Sequence, residues 1–417
     1  MPHHHALKLV SAAAAAMLLL TGCDSASSIN SPPARDSGGV DSLPAEPVFD
    51  DCGDGLPPDE ACFARTRAPE SQEVAMARAI ADRQIARRPP ESLRWDWGEA
   101  VMLLGVYQLA RITGEERYLD YPRAWLDHHI ESGYTIRTSD TCAPAALAAL
   151  MYSETGDERY SAVVDDAFYY LNEESLRTPE GGLNHLGIMD IFGVSLWVDS
   201  LFMFGNVMHT WAEITGDPAP LDDFVEQYEI FAEALQTPSG FFMHATESEF
   251  FPQDDNVYWG RGNGWVVAAA YDHLRIRHIR GEEPPPRLRA SLELLVSAAI
   301  NTQDLESGLW WTVLNRPGES YLETSTAALF AFGLARGFRY GLLGDEVLPV
   351  IRRAVVGLRE RIEYEDEGHA RVTGISDPTN VGDFEYYRSV HQNDCRTYGV
   401  GAVLLALTEV SGLPLSD

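Results

Sequence analysis

The sequence of 417 residues is poor in positive charge, and Lys8 is its only lysine. Lys and Arg together number 31 against 63 Asp and Glu, which gives a formal net charge of −32 at pH 7. An acidic surplus of this size repels phosphate backbones and argues against nucleic acid as a partner. Every strong positive charge after the N-terminus is an arginine, whose planar fork of donors suits carboxylates.

Several functional motifs are missing as well. The sequence contains no Ser/His/Asp order, Walker loop, Rossmann glycine pattern or zinc-ligand spacing. The sequence therefore predicts no metal site. The stretch "QDDN" at 253–256 could bind a cation, although a solvated turn is the simpler interpretation.

An apolar run with a positively charged start lies at the N-terminus. Lys8 precedes the apolar run "LVSAAAAAMLLL" at 9–20, which is too short for a good transmembrane helix. The motif "LTGC" follows and ends at Cys23, and it resembles the lipobox of bacterial lipoproteins. We therefore expect a signal peptide over 1–22 and lipidation of Cys23. The protein would be exported and anchored to the membrane, in the periplasm or at the cell surface. An ordinary secretory signal with an incidental cysteine is the alternative.

A polar segment separates this N-terminus from the rest of the chain. Residues 23–66 are rich in Ser, Pro, Asp and Gly and indicate a flexible tether. Cys52 and Cys62 flank a short loop within it, and in an exported protein they could form a disulfide. The folded domain is expected over 67–417.

That domain has a helical pattern with regular breaks. Apolar residues recur at three- and four-residue spacing over 97–133. Breaks beginning with Thr-Gly and an acidic residue follow apolar stretches at 113, 155 and 215, at intervals of 42 and 60 residues. Glycine ends one helix and the acidic residue favours the start of the next. Strand candidates are few, namely "GFFMHATE" and "GLWWTVL". Such intervals predict about six or seven helical hairpins, which a closed (α/α)6 barrel accommodates better than an open solenoid.

Two aspartates are candidates for catalysis. Asp199 lies in "LWVDSLFMF", where apolar neighbours would desolvate its carboxylate, raise its pKa and let it act as an acid. A helix cap or a hydrogen-bonded core aspartate is the alternative. Asp140 lies in "RTSDTCAPAAL" just before an apolar helix, where Ser139 or Asp140 could cap that helix. Alternatively, Asp140 faces Asp199, because sites that cleave glycans commonly pair two carboxyl groups.

Aromatic, histidine and arginine residues are the candidates for binding a sugar. His185 and His244 each follow a glycine turn and are either structural or part of the site. In "YWGRGNGW", Trp259 and Trp265 offer flat apolar faces to a sugar ring, and Arg261 offers a fork of donors to a carboxylate. The glycines would keep this loop narrow. The alternative is a structural arginine–aromatic cluster that closes the loop onto a helix.

Taken together, six segments resemble the unsaturated glucuronyl and rhamnogalacturonyl hydrolases of glycoside hydrolase families 88 and 105. They are the breaks of the form "TG[DE]xxY", "LWVDSLFM", "TPSGFFMH", "YWGRGNGW", "SGLWWTVLNRPGESYLETSTAALFAFGL" and "DCRTYGVGAVLLALTE", from about Arg94 to Val410. The resemblance implies an all-α (α/α)6 barrel with short β segments in its loops, and no cofactor. It implies removal of a terminal 4,5-unsaturated uronic acid from a lyase-generated acidic oligosaccharide, by protonation at C4 and hydration of the C4=C5 bond. Pectin rhamnogalacturonan fragments are the first expectation, with glycosaminoglycan and ulvan fragments left open.

The resemblance also assigns residues. Asp199 matches the family's acid/base and Asp140 its second essential aspartate, whose charge would stabilise the positive charge developing at C5. The positions that line the sugar site in the family match Trp197, His244, Trp259, Arg261 and Trp265. The stretch "RWDWGEA" matches a further aromatic wall, for which Trp95 is favoured over Trp97. If the barrel closes, Cys142 and Cys395 would be neighbours, and we predict a disulfide between them.

Two other functions compete with this interpretation. A conventional glycosidase on the same barrel would cleave saturated sugars, since a fold alone does not determine activity. A non-catalytic, surface-anchored glycan-binding lipoprotein would keep the tryptophans and Arg261 and would not depend on Asp199. The presence of Asp140, Asp199 and His244 together favours an enzyme.

Overall fold

The computed structural model describes residues 67–415 except 248, 249, 251, 255 and 395. Several predictions concern residues outside this range and stay predictions. They are the signal peptide over 1–22, the tether over 23–66, lipidation at Cys23 and the Cys52–Cys62 disulfide.

Fourteen helices occur in the described part of the chain. In chain order they are α1 (Gln72–Arg87), α2 (Trp97–Thr113), α3 (Glu116–Ser132), α4 (Ser139–Cys142), α5 (Pro144–Thr155), α6 (Glu158–Tyr169), α7 (Ser200–Thr215), α8 (Ala219–Leu235), α9 (Gly260–Ile279), α10 (Pro286–Asn301), α11 (Thr324–Arg339), α12 (Leu348–Arg359), α13 (Phe384–Ser389) and α14 (Thr397–Val410). A π-helical turn over Tyr170–Glu174 extends α6, and single 3-10 turns lie at Pro90–Ser92, Asp345–Val347 and Asp366–Gly368.

Twelve of these helices form two concentric rings. The inner ring runs α2, α5, α7, α9, α11 and α14, each packed against the next, and α14 packs against α2 to close it. The helices α1, α3, α6, α8, α10 and α12 pack outside the inner ring. The structure therefore confirms the predicted (α/α)6 barrel.

Burial along the helices explains the two layers. Every residue of α14 is buried, as expected for a helix enclosed on all sides. In contrast, α12 buries one face, with Val350, Ile351, Ala354, Val355 and Leu358 at helical spacing. The inner helices are thus buried on most sides and the outer ones are amphipathic.

The predicted breaks are confirmed as the turns between inner and outer helices. Gly114, Gly156 and Gly216 end α2, α5 and α7 in the left-handed conformation, with φ of 67°, 69° and 76°. Glycine adopts this conformation without the steric cost that a side chain brings. Each break therefore closes one hairpin of the barrel.

Short strands lie in the connections. They pair antiparallel as β1 (Trp310–Trp311) with β2 (Leu322–Glu323), β3 (Ile362–Tyr364) with β4 (Ala370–Val372), and β5 (Ile375–Ser376) with β6 (Gln392–Asn393). "GLWWTVL" does contain a strand, whereas "GFFMHATE" forms only isolated bridges, Phe242 with Gln236 and Ala245 with Trp197. No helix among residues 67–415, where described, is long and apolar enough to cross a membrane.

The predicted Cys142–Cys395 disulfide is wrong. Cys142 is a free cysteine and is completely buried at the end of α4. Its side chain belongs to the apolar core of the barrel, and burial raises the pKa of its thiol. Cys395 lies outside the described residues. Cys142 therefore acts as a small core residue, one of the common uses of free cysteine.

A buried ionic network joins the C-terminal halves of three inner helices. Glu409 of α14 accepts hydrogen bonds from Arg336 (2.8 Å) and Arg339 (3.0 Å) of α11. Asp272 of α9 accepts from Arg275 (3.0 Å) and also from Arg336. Burial favours protonation of both carboxyls, but the arginines outweigh it and lower the pKa of Asp272 and of Glu409. We name these five residues the ionic network.

Candidate active site

The N-terminal ends of the inner helices meet at the other end of the barrel. Trp97 begins α2, stacks on Tyr398 of α14 (ring centroids 4.5 Å apart) and meets the edge of Trp265 of α9 (6.3 Å). Asp140 lies in α4, directly before α5, and Asp199 directly precedes α7. The fold therefore gathers the candidate catalytic residues at this end.

Asp199 is buried beside a histidine. Its side chain makes no capping hydrogen bond, and its Oδ2 lies 3.3 Å from His244 Nε2. Burial acts to raise the pKa of Asp199, but contact with His244 and the charges of His185 and Arg261 outweigh it, so that the pKa is lowered. The predicted upward shift of the pKa is therefore wrong for this structure, because the sequence could not show which groups surround the carboxylate.

Asp140 has the opposite electrostatic environment. Thr138, rather than Ser139 or Asp140, caps α4, so the Asp140 carboxylate is not used as a cap. Burial, followed by the charges of Asp96 and Asp199, raises the pKa of Asp140 well above its usual range. Its Oδ2 lies 4.0 Å from Nε2 of a histidine, His185. Asp140 therefore tends to hold a proton while Asp199 tends to be ionised.

Trp197 lies between the two histidines. Its ring stacks on His185 at 4.5 Å and meets the edge of His244 at 5.1 Å. His185 Nδ1 lies 2.8 Å from Ser139 Oγ and 3.0 Å from Ser200 Oγ, which fixes the ring. Burial, the largest cause, lowers the pKa of His185 to about 4. The ring is therefore uncharged at neutral pH.

The stretch "YWGRGNGW" begins helix α9 and is not the loop that the sequence suggested. Trp259 is its N-cap residue, and the helix starts at Gly260. A Cβ at Gly262 would lie 2.7 Å from Trp259 Cε3 and 2.8 Å from Val198 Cγ2, closer than side chains tolerate. Glycine at 262 thus lets the first turn of α9 approach the segment that carries Asp199.

Arg261 is completely buried under the aromatic residues of the site. Its guanidinium carbon lies 4.6 Å from the ring centroid of Trp259 and 4.8 Å from that of Tyr398. Both terminal nitrogens donate hydrogen bonds to the protein itself. The acceptors are Ser376 Oγ, Ser376 O (3.3 Å), Asp377 O (3.2 Å) and Thr379 Oγ1 (3.0 Å). The fork that was predicted to bind a substrate carboxylate is therefore engaged by segment 376–379.

The remaining predicted tryptophans differ in accessibility. Trp265 is completely buried and packs against Phe202 at 4.5 Å, so the predicted contact of its ring with a sugar is corrected to a supporting position. Trp95 is partly exposed, stacks between Trp125 (5.4 Å) and Tyr134 (4.5 Å), and donates its indole N–H to a backbone carbonyl next to Asp140. Trp95 thus lies beside Asp140 with part of its ring exposed, and its role as an aromatic wall stays a prediction, whereas Trp265 lies behind the site.

The sequence analysis missed two acidic residues in "RWDWGEA", where only aromatic residues had been sought. Asp96 caps α2 through the backbone N–H of Trp97 (3.0 Å), and burial raises its pKa. Glu99 is buried one turn later, 3.9 Å from Arg94, and burial raises its pKa to about 7. An acidic residue after an aromatic one at a helix start was the signal that could have revealed Asp96.

Tyr387 was also missed. It lies on α13, and its hydroxyl is 2.9 Å from His244 Nδ1. Its segment, "GDFEYYRSV", has no helical periodicity that would have tied it to the site. Within the part of the chain that the structure describes, no group of three His, Cys, Asp or Glu side chains forms a candidate metal site.

The closed double ring, with two carboxyl groups among aromatic residues at one end, is the architecture of a class of glycoside hydrolases. Residues 73–413 match the family model described as Glycosyl Hydrolase Family 88, and the chain belongs to this family.

Three relatives illustrate the similarity. The unsaturated rhamnogalacturonyl hydrolase YesR of Bacillus subtilis is 26% identical over 339 residues, covering 80% of this chain and 94% of that protein. An unsaturated 3S-rhamnoglycuronyl hydrolase of an Alteromonas species is 27% identical over 222 residues, covering 51% of this chain and 50% of the relative. The solved structure of a family 105 glycoside hydrolase from C. acetobutylicum has a TM-score of 0.73 at 24% identity, over 82% of this chain and 99% of that one. The last comparison supports the fold alone.

Proposed function

We propose that this enzyme removes a terminal 4,5-unsaturated uronic acid from acidic oligosaccharides produced by a polysaccharide lyase. The proposal depends most on one observation, namely that two neighbouring carboxyl groups have opposite pKa shifts. The pKa of Asp140 is raised and that of Asp199 is lowered, so that one carboxyl group tends to hold a proton while its neighbour tends to be ionised. Protonation of an enol ether needs such a proton, held in a partly desolvated site.

The reaction is an addition of water across the C4=C5 bond. Asp199 gives a proton to C4 while water attacks C5, and the proton that the water loses returns to Asp199. The resulting hemiketal at C5 opens to a ketone, and the hemiacetal left at C1 releases the second sugar. Because Asp199 is ionised in the free enzyme, we expect it to receive its proton when the acidic substrate binds, since the substrate's negative charge raises the proton affinity of both carboxyl groups.

Unpaired polar atoms at the site support binding of a polar ligand. Trp259 Nε1 and Arg261 Nε are buried and make no hydrogen bond to other described residues, and His244 Nε2 and Asp199 Oδ2, 3.3 Å apart, have no partner besides each other. Buried polar groups normally have partners, and groups that lack them need an explanation. Hydroxyl and carboxylate groups of a sugar acid would supply those partners.

The relatives guide the choice of substrate. Two have names that refer to unsaturated rhamnogalacturonyl and 3S-rhamnoglycuronyl hydrolysis, so both pair an unsaturated uronic acid with rhamnose. We propose a rhamnogalacturonan fragment of pectin as the first substrate to test. Ulvan and glycosaminoglycan fragments are the next.

The test follows the ultraviolet absorbance of the conjugated C4=C5 bond. Purified protein is given unsaturated disaccharides from pectin, ulvan and glycosaminoglycans, with Asp199→Asn run in parallel. We expect loss of absorbance with the wild type alone, fastest on the rhamnose-containing fragments. No loss on any of them would refute the proposed function.

We further propose that the protein is exported and anchored through Cys23, since an apolar run and "LTGC" precede the tether. Expression of the full chain with Cys23→Ala tests this proposal. The wild type should fractionate with membranes and incorporate a labelled fatty acid, and the variant should do neither. Equal fractionation and labelling of both forms would contradict the anchor.

A further inference from the structure

Tyr387 reaches the site from a part of the chain far from the other site residues. It lies on α13, in the connection between β5 and β6. Its side chain is 1% exposed and packs with Val257, Trp259 and Val313. The ring is thus held rigidly beside the start of α9.

The hydroxyl of Tyr387 has two partners that differ in kind. His244 Nδ1 lies 2.9 Å from its oxygen, and the backbone N–H of Gly382 acts on the same oxygen by lowering its pKa. Burial, the largest cause, raises the pKa of Tyr387, so the hydroxyl keeps its proton. A backbone N–H cannot accept a proton, so His244 Nδ1 is the acceptor within reach among the described residues and the hydroxyl proton points to it.

This arrangement determines the tautomer of His244. If Nδ1 accepts the tyrosine proton, the ring's own hydrogen must lie on Nε2. Nε2 is the atom 3.3 Å from Asp199 Oδ2. An N–H therefore faces the carboxylate, and it stabilises the ionised form of Asp199.

We propose that Tyr387 is a positioning residue of the active site, which fixes the His244 tautomer so that Nε2–H stabilises the Asp199 carboxylate formed when the proton leaves for C4. The catalytic part of this inference rests on the proposed hydration reaction, whereas the assignment of the tautomer does not. None of the motifs quoted for the family includes Tyr387.

Other charged groups lie near the contacts from Tyr387 through His244 to Asp199. Asp199 is also influenced by His185, from the segment before α7, and by Arg261 of α9, and it raises the pKa of Asp140. On the other side, Asp254 influences Tyr387 from the segment before α9. None of these groups hydrogen bonds to His244 Nδ1, so the tyrosine hydroxyl is the partner of that atom among the described residues.

Tyr387→Phe tests the proposal, with Tyr386→Phe as a matched control. The neighbouring Tyr386 accepts a hydrogen bond from the backbone N–H of Asn380 (2.8 Å) and does not contact His244 through its hydroxyl. Each substitution removes one hydroxyl and keeps the ring. Nitrogen NMR of labelled histidine reports the His244 tautomer, with His244→Gln used to assign the signal, and pH profiles of kcat and kcat/KM report Asp199.

In Tyr387→Phe we expect a mixed or reversed tautomer of His244. kcat should fall about tenfold, as expected for the loss of one functional hydrogen bond, with KM within a factor of two. The limb of kcat/KM that reports Asp199 should move to higher pH, because its carboxylate loses a donor. Tyr386→Phe should match the wild type in all these readouts.

The proposal is overturned if His244 keeps its tautomer in Tyr387→Phe. It is overturned equally if kcat falls but both pH profiles stay unchanged, since a purely structural role would do that. If the wild type hydrates none of the unsaturated substrates, the proposed function fails. The tautomer measurement then decides the structural part by itself.

Discussion

The carboxyl groups at the two ends of the barrel have pKa values that are shifted in opposite directions. In the ionic network, Asp272 and Glu409 are surrounded by arginines, and their pKa values are lowered. At the candidate site, Glu99 is buried and Asp96 and Asp140 are half-buried, all with too little positive charge nearby, and their pKa values are raised.

The opposite pKa shifts suit different roles for the two ends, namely stability at one end and acid–base chemistry at the other. A buried carboxylate with arginine partners stays ionised and holds helices together, but it offers no proton to a substrate. A buried carboxylate beside other carboxylates binds protons near neutral pH, which suits acid–base chemistry and costs stability. Asp199 combines both features. His244 and Arg261 lower its pKa, while the pKa of the neighbouring Asp140 is raised.

The largest expected effect comes from the site end. Asp199→Asn removes the group that carries the proton to C4, and kcat should fall about a thousandfold or more, within the range for general acid catalysis. Thermal unfolding should change little, since asparagine has the same shape. A variant that kept a tenth of the wild-type kcat would show that Asp199 is not the acid.

The next effect comes from the ionic network. Arg336→Met leaves Asp272 and Glu409 each short of one buried partner, and the free energy of unfolding should fall by about 3 kcal/mol. kcat of the folded fraction should stay at the wild-type value. Urea unfolding and assays below the midpoint measure the two quantities.

Arg289→Met is the matched control for that measurement. Arg289 pairs with Glu293 at 2.8 Å on the exposed face of α10, where both side chains are more than half exposed. No measurable loss of stability is expected. Equal losses in the two variants would contradict the distinction between buried and exposed pairs.

Arg261→Lys separates two roles of the arginine in "YWGRGNGW". A lysine cannot reproduce the hydrogen bonds from two nitrogens to segment 376–379, so the free energy of unfolding should fall by about 2 kcal/mol. Arg261→Met, which removes the charge altogether, is the comparison. If Arg261→Lys raises KM strongly with unchanged stability, the fork binds substrate as the sequence analysis predicted.

The smallest effect is a pH dependence of stability with opposite signs at the two ends. The raised pKa of Asp140 means that the folded protein binds more protons than the unfolded chain above about pH 4, so stability falls as pH rises through that window. Asp140→Asn should therefore stabilise the protein more at pH 8 than at pH 4. The lowered pKa of Asp272 has the opposite sign, and its stabilisation is lost as pH falls below about 4. Urea unfolding at both pH values measures the difference, and an equal effect of Asp140→Asn at pH 4 and pH 8 would contradict it.

The sequence predicted the fold well because the repeat is local. Each break needs only a glycine in the left-handed conformation after an apolar helix, and Gly114, Gly156 and Gly216 all have it. The helices themselves follow from apolar residues at three- and four-residue spacing.

The sequence indicated which residues gather at the site better than it indicated the pKa shifts of those residues. Apolar neighbours in sequence suggested a raised pKa for Asp199, but the fold brings in His244 and Arg261 from later segments. Tyr387 contacts His244 across 143 positions of the chain, and no local pattern marks such a contact. The Cys142–Cys395 disulfide was inferred from chain closure alone, whereas Cys142 is a free cysteine buried in the core.

One comparison tests the central claim most directly, namely wild-type kinetics on two disaccharides that differ only in the C4=C5 bond. The first is the unsaturated uronyl–rhamnose disaccharide, and the second is its saturated counterpart, with rhamnose release measured for both. We predict release from the unsaturated disaccharide alone, in step with loss of its ultraviolet absorbance. Comparable release from both would mean conventional hydrolysis at the anomeric carbon, and release from neither would leave the hydrolase assignment without its substrate.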